Sequence, residues 1–139
     1  MKINKYFQYL ILGYKNYFKY KGRTTVQEFW CYQSFVIFIT SIILVGLSTP
    51  YFINFLIIYW VWILFSFIPG TAIFCRRLHD MNKSGWVQCY FFLGIIITVL
   101  FKKLSVPFAE ILHLLIFFIW MFYLSQKSSN GKNKYDKPI

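Results

Sequence analysis

The chain has 139 residues, 58% hydrophobic and 24% aromatic, with 14% charged and a formal net charge of +11. Soluble domains carry about 25% charged residues, so this composition excludes an ordinary soluble fold. It also excludes a basic nucleic-acid-binding domain, which needs a polar surface on which to spread its lysines, and no nucleic-acid partner is expected.

Residues 1–28 form a basic segment carrying Lys2, Lys5, Lys15, Lys19, Lys21 and Arg23. Phe7, Leu10, Ile11, Tyr14 and Phe18 recur at the i, i+3, i+4, i+7 spacing of one helix face. This predicts an amphipathic helix in the inner headgroup layer, where its tyrosines suit the interfacial belt. No apolar core followed by a small-residue cleavage site is visible, so the segment does not read as a secretory signal peptide. Thr25-Val26-Gln27-Glu28 then fits a capping box, in which the Thr25 hydroxyl accepts from the Glu28 N–H and Glu28 reaches back to Thr25. The alternative for Glu28 is a salt bridge to an arginine of the 75–85 loop.

Four apolar runs follow: 29–48, 51–74, 86–101 and 108–124. A spanning helix needs roughly 20 apolar residues. The first two runs meet that length, and the shorter last two read as a pair that reverses at Lys102, Lys103 and Pro107. The expected fold is therefore all-α and polytopic, a four-helix transmembrane domain over 29–124 preceded by an interfacial amphipathic helix. Pro69 lies inside the second run, so a kink is expected near Phe65–Pro69 with the helix continuing to about Arg77. Cys31, Cys75 and Cys89 include no C-x-x-C pair and read as free, small, buried hydrophobes. Residues 125–139 are polar and basic and read as a flexible tail.

With four spans, thirteen of the fifteen Lys and Arg fall on one side and only Lys102 and Lys103 on the other. Cytoplasmic loops carry the Lys/Arg excess. Both termini and the 75–85 loop are therefore expected in the cytoplasm, and the lipid bilayer with its anionic headgroups is the expected partner.

The stretch RRLHDMNKSGW, Arg76 to Trp86, concentrates the polar chemistry. His79 and Asp80 are adjacent, which on a helix places them about 100° apart, so they do not form an acid–base couple with each other. Ser84 lacks the G-x-S-x-G setting of a nucleophile, and one His with one Asp are too few ligands for a metal. Arg76 and Arg77 suit a helix C-terminus and lipid phosphates. Asn82 or Ser84 starts the next helix, Gly85 permits a tight turn and Trp86 anchors at the interface. A closed ion-pair cluster of Arg23, Glu28, Arg76, Arg77 and Asp80 would make this loop architectural. An open pocket floored by His79 and Asp80 would favour ligand binding or catalysis.

Glu110 and His113 share one face of the last apolar run at i, i+3. The spacing is half of a di-iron motif, but the other carboxylates are missing. Glu110 is expected either to pair with Lys102 or Lys103 at the membrane edge, or to form a polar, proton-handling pair with His113. A channel lined by Glu110, His113 and Ser66 would indicate transport. No nucleotide fingerprint, P-loop or H-E-x-x-H occurs, and no cofactor or metal is expected.

Taken together, Gly22-Arg23, Glu28-Phe29-Trp30, Arg76-Arg77-Leu78-His79-Asp80, Ser84-Gly85-Trp86, and Gly131, Asn133 and Tyr135 resemble the pattern of the bacterial inner-membrane family catalogued as domain of unknown function 805. The resemblance runs from about residue 7 to 138. The chain departs from the family in its ending, Asn133 to Pro138, which lacks the family's glycine, and at Thr24 to Gln27, where the family carries a basic residue. The resemblance implies an inner-membrane location and this architecture, without a reaction. Three functions follow in order of expectation. The first is a non-enzymatic membrane module binding a partner or anionic lipid at its cytoplasmic loop. The second is a small transporter or channel, formed as a homo-oligomer. The third is an enzyme of the inner headgroup layer using His79 and Asp80.

Overall fold

The computed structural model describes residues 4–129 and 132–135. Among these the chain is helical throughout: α1 (Lys5–Lys15), α2 (Val26–Gly46), α3 (Phe52–Asp80), a single 3₁₀ turn (Gly85–Val87), α4 (Gln88–Lys103) and α5 (Ala109–Leu124). Val26–Gly46, Phe52–Asp80 and Gly85–Lys103 are long and apolar enough to cross a membrane, and Ala109–Leu124 is a shorter apolar helix. Large apolar side chains on these helices point outward, among them Val45, Leu64 and Phe122. Such a surface is stable against hydrocarbon and unstable against water.

Helix boundaries shift from the expected ones for identifiable reasons. α2 begins at Val26, three residues early, and ends at Gly46. Here a Cβ would stand 2.2 Å from the Phe55 ring, so glycine lets α2 turn closely into α3. The Thr49 hydroxyl donates to the Gly46 carbonyl at 2.6 Å and closes the turn. α3 runs three residues beyond Arg77 to Asp80. It ends in a Schellman motif, with Asn82 (φ 58°) in the left-handed region. The Lys83 N–H bonds to Leu78 O and the Asn82 N–H to His79 O. Asn82 therefore stops α3 and does not start the next helix. α4 ends the same way, with Ser105 at φ 53°, Val106 N–H on Phe101 O and Ser105 N–H on Lys102 O.

The chain divides into two compact units, one built from the chain up to Tyr20 with Gln27–Phe74, the other from Lys21–Val26 with the chain from Cys75 onward. In the first unit α1 is short for an isolated helix and is held by packing. Gly13 lies against Tyr32, where a Cβ would come within 2.9 Å, and Tyr14 stacks on Phe65 at 5.6 Å. Phe18, expected on the same helical face, lies beyond the helix end and is exposed. α2 and α3 are joined by Trp62 Nε1 donating to the Thr40 hydroxyl at 3.0 Å. Pro69 sits inside a continuous α3. Its missing N–H leaves the Phe65 carbonyl without its helical donor, and the Tyr17 hydroxyl supplies one at 2.7 Å.

In the second unit α4 and α5 form an antiparallel hairpin. Gly94 allows close approach, a Cβ there meeting Ile116 at 3.4 Å. Of the three cysteines, expected to be buried, only Cys75 is; Cys31 is intermediate and Cys89 exposed. An apolar run that faces lipid has no need to bury its small side chains.

Candidate functional site

The charged stretch at the end of α3 folds into a knot within the second unit. Arg76 and Arg77 are both 0% exposed, and His79 and Asp80 are also buried. A buried charge is costly unless paired and hydrogen-bonded, and Asp80 is saturated. One carboxylate oxygen takes Arg23 Nη2 at 2.9 Å and Nε at 3.0 Å. The other takes Arg77 Nη1 and the Ser128 hydroxyl.

Arg77 does more than pair with Asp80. Its Nε donates to Leu124 O at 2.8 Å and its Nη2 to Gln126 O. Leu124 O is the last carbonyl of α5 and Gln126 O lies just past the helix end, where the orphan acceptors and the negative end of the helix dipole favour a guanidinium. Arg77 thereby ties the C-terminus of α3 to that of α5. Arg76 Nε donates to the Thr24 hydroxyl at 3.0 Å, and the Thr24 N–H bonds back to Arg76 O at 3.2 Å, holding the segment before α2.

His79 is clamped from every side. Its Nδ1 donates to Gly22 O at 3.2 Å, which leaves Nε2 as the acceptor facing Cys75 Sγ at 3.6 Å. The Tyr135 ring stacks on the imidazole at 3.8 Å and 6°. Gly85 lies over Cys75 and His79; a Cβ there would meet Cys75 Sγ at 2.1 Å. Gly85 thus opens the 3₁₀ turn with a φ that is not positive, and its lack of a side chain serves close packing. Ser84 caps the 3₁₀ turn, accepting from the Trp86 N–H at 3.4 Å.

Of the tail, expected to be flexible, the described residues Ser129 and Asn133 bond to the end of α3. The Ser129 N–H bonds to Asp80 O at 3.0 Å, and Asn133 Nδ2 donates to His79 O at 2.8 Å. Both carbonyls lie in the last turn of α3, where helical donors run out, and the tail adds donors to them. Composition alone assigns the tail no such contacts. Thr24, Cys75, Ser128, Asn133 and Tyr135 join the site without having been singled out for it. The signal for two of them was the G-x-N-x-Y element; its Gly131, like Asp136, Lys137 and Pro138, lies outside the described residues.

The other expected residues have settings of their own. Glu28 occupies the first turn of α2. Trp30 packs edge-on to Phe29 at 5.5 Å, and Phe29 meets Phe74 at 6.2 Å. Trp86 is 81% exposed and Lys83 is exposed as well. Glu110 and His113 each find a separate partner: Lys102 Nζ at 3.0 Å from Glu110, and the Thr98 hydroxyl at 2.7 Å from His113 Nδ1. Among the described residues no three His, Cys, Asp or Glu side chains gather to hold a metal ion.

Comparison with known proteins agrees with the sequence pattern. Residues 17–137 match the family described as Protein of unknown function (DUF805). Inner membrane protein YhaI of Escherichia coli strain K12 is 28% identical over 134 residues, covering 92% of each chain. The protein of the same name from Escherichia coli O157:H7 matches to the same extent. No solved structure matches.

Proposed function

The chain belongs to the DUF805 family of membrane proteins, and on that premise we propose that it is a non-enzymatic module of the inner membrane. It crosses four times, with both termini cytoplasmic and α1 lying in the inner headgroup layer. Its cytoplasmic loop meets anionic lipid. One observation carries this reading: Arg77, His79 and Asp80 are buried and engaged, while the loop tip is open. Asp80 has both oxygens occupied and His79 is sandwiched. A general acid or base needs reach to a substrate proton, and neither group has it. Arg76 and Arg77, 0% exposed, hold the fold together and do not reach phosphates. Lys83 and Trp86 are the cation and the interfacial aromatic that remain outside, the pairing expected of a headgroup contact.

The four-span count is supported by Arg77. Its bonds to Leu124 O and Gln126 O bring the end of α5 back to the end of α3, as a hairpin crossing out and back requires. The interfacial role of α1 is supported by the exposure of Phe7, Ile11 and Leu12.

The test is purification with native lipids followed by mass spectrometry. Lys83→Ala with Trp86→Ala is expected to deplete co-purified anionic lipid with the fold intact, whereas Arg77→Ala is expected to reduce folded yield. Undiminished anionic lipid in the loop variant would refute the reading, and a protein lost in its place would make the loop a partner site. A cysteine at position 83 on a cysteine-free background is expected to label only from the cytoplasm; labelling from the periplasm would overturn the topology.

A further inference from the structure

At the end of α4 remote from the knot, a cleft of about 370 Å³ opens between α4 and α5. Lys102 and Glu110 stand at its mouth, Val99 and Leu114 form apolar walls, and Thr98 and His113 lie at its base. From this juxtaposition we infer that the cleft binds the headgroup of a zwitterionic phospholipid with a primary ammonium. Glu110 and His113 receive the ammonium and Lys102 the phosphate. The inference rests on α4 and α5 crossing the bilayer, and is independent of lipid contact at Lys83 and Trp86.

The mouth presents opposite charges side by side. Lys102 Nζ lies 3.0 Å from Glu110 Oε1, and the two side chains are 71% and 76% exposed. An exposed ion pair contributes only about 0–1 kcal/mol, so a ligand that supplies both charges replaces it at little cost. A headgroup with only a phosphate would leave Glu110 unpaired beside a second anion. A quaternary ammonium satisfies the charge but has no N–H to donate. A primary ammonium has three donors, and the cleft has acceptors for them.

The second acceptor follows from proton counting. Thr98 is 2% exposed, and its hydroxyl proton is given to Ile95 O at 2.8 Å. The 2.7 Å contact with His113 Nδ1 is then donated by the imidazole. In the tautomer that carries its proton on Nδ1, Nε2 is an acceptor. The apolar walls suit the first methylenes of an acyl chain, which a free headgroup lacks.

Depth agrees. α5, the shorter arm of the hairpin, has sixteen residues, about 24 Å of rise against about 30 Å of hydrocarbon. A hairpin this short draws headgroups down to its tip, where the cleft lies.

The experiment is native mass spectrometry of the full chain in detergent, titrated separately with phosphatidylethanolamine, phosphatidylcholine, phosphatidylglycerol and soluble O-phosphoethanolamine. Specific binding of each titrant, above nonspecific adducts, is the quantity read. It is expected for phosphatidylethanolamine, to fall roughly tenfold in Glu110→Gln and in Lys102→Gln, as loss of a charge-assisted hydrogen bond implies, and to persist in Glu110→Asp. Leu114→Trp, which fills the cleft without touching either charge, is expected to abolish it too and keeps the test open if a charge variant fails to fold. An equal Glu110-dependent component for phosphatidylcholine or phosphatidylglycerol would overturn the inference. So would binding of soluble O-phosphoethanolamine as tight as that of the lipid, or wild-type binding by Leu114→Trp.

Discussion

Replacing Tyr17 by Phe removes one hydroxyl and tests how α3 tolerates its proline. Pro69 has no N–H for the carbonyl four residues earlier, and that carbonyl, Phe65 O, takes the Tyr17 hydroxyl at 2.7 Å. The Tyr17 ring stays packed on Phe18 at 4.7 Å and Phe65 at 5.8 Å, so Tyr17→Phe isolates the hydrogen bond. Pro69→Ala restores the helical donor, after which the hydroxyl is redundant. Hydrogen bonds between membrane helices are worth about 0.6 kcal/mol on average and reach about 1.7. An orphaned carbonyl lies toward the upper end of that range. The double-mutant cycle is therefore expected to show a coupling of about 0.5–1.5 kcal/mol. Tyr17→Phe destabilises the proline-containing chain and is nearly neutral in the chain that already carries Pro69→Ala. Reversible unfolding in lipid–detergent bicelles measures all four corners. Additivity within about 0.3 kcal/mol would mean that Phe65 O is satisfied in some other way and that Tyr17 is not the proline's complement.

Asp80→Asn leaves Arg23 and Arg77 without their carboxylate and is expected to cost about 3–5 kcal/mol, read as a lowered unfolding midpoint; an unchanged midpoint would dismiss the knot as the fold's anchor. Gly85→Ala pushes a methyl onto Cys75 Sγ and is expected to destabilise, with Cys75→Ala in the same chain relieving most of the loss. Failure of that rescue would place the strain elsewhere. Asn133→Ala removes a donor from His79 O and is expected to speed hydrogen exchange at the Ser129 amide, which bonds to Asp80 O; unchanged protection there would show that the tail docks without Asn133.

What could be read in advance was whatever is written locally along the chain. Helix positions followed from apolar runs, because a membrane-crossing helix satisfies its own backbone and needs only length and hydropathy. The breaks at 48–50, within 75–85 and at 102–107 were legible for the same reason, though the stops were not. Asn82 and Ser105 end helices by adopting positive φ, a choice made by the bonds around them. The expected four spans and the expected orientation rest on charge counting, which concerns the membrane and not the contacts of the chain with itself.

The partners of the charged residues were a different matter. RRLHD is a single short stretch, yet its bonds reach Gly22, Thr24 and Arg23 on one side of the sequence and Leu124, Ser128 and Asn133 on the other. Nothing in the spacing of Asp80 and Ser128 says that they meet. The tail's polarity suggested mobility, because composition records what a segment can dissolve in and not what it can donate to. The sequence by itself determined that this protein lives in a bilayer and where its helices run, since hydropathy acts residue by residue. Only the tertiary structure decided that its arginines face inward to a carboxylate, a threonine hydroxyl and a helix-end carbonyl, since pairing a buried charge depends on groups that folding alone brings within 3 Å of it.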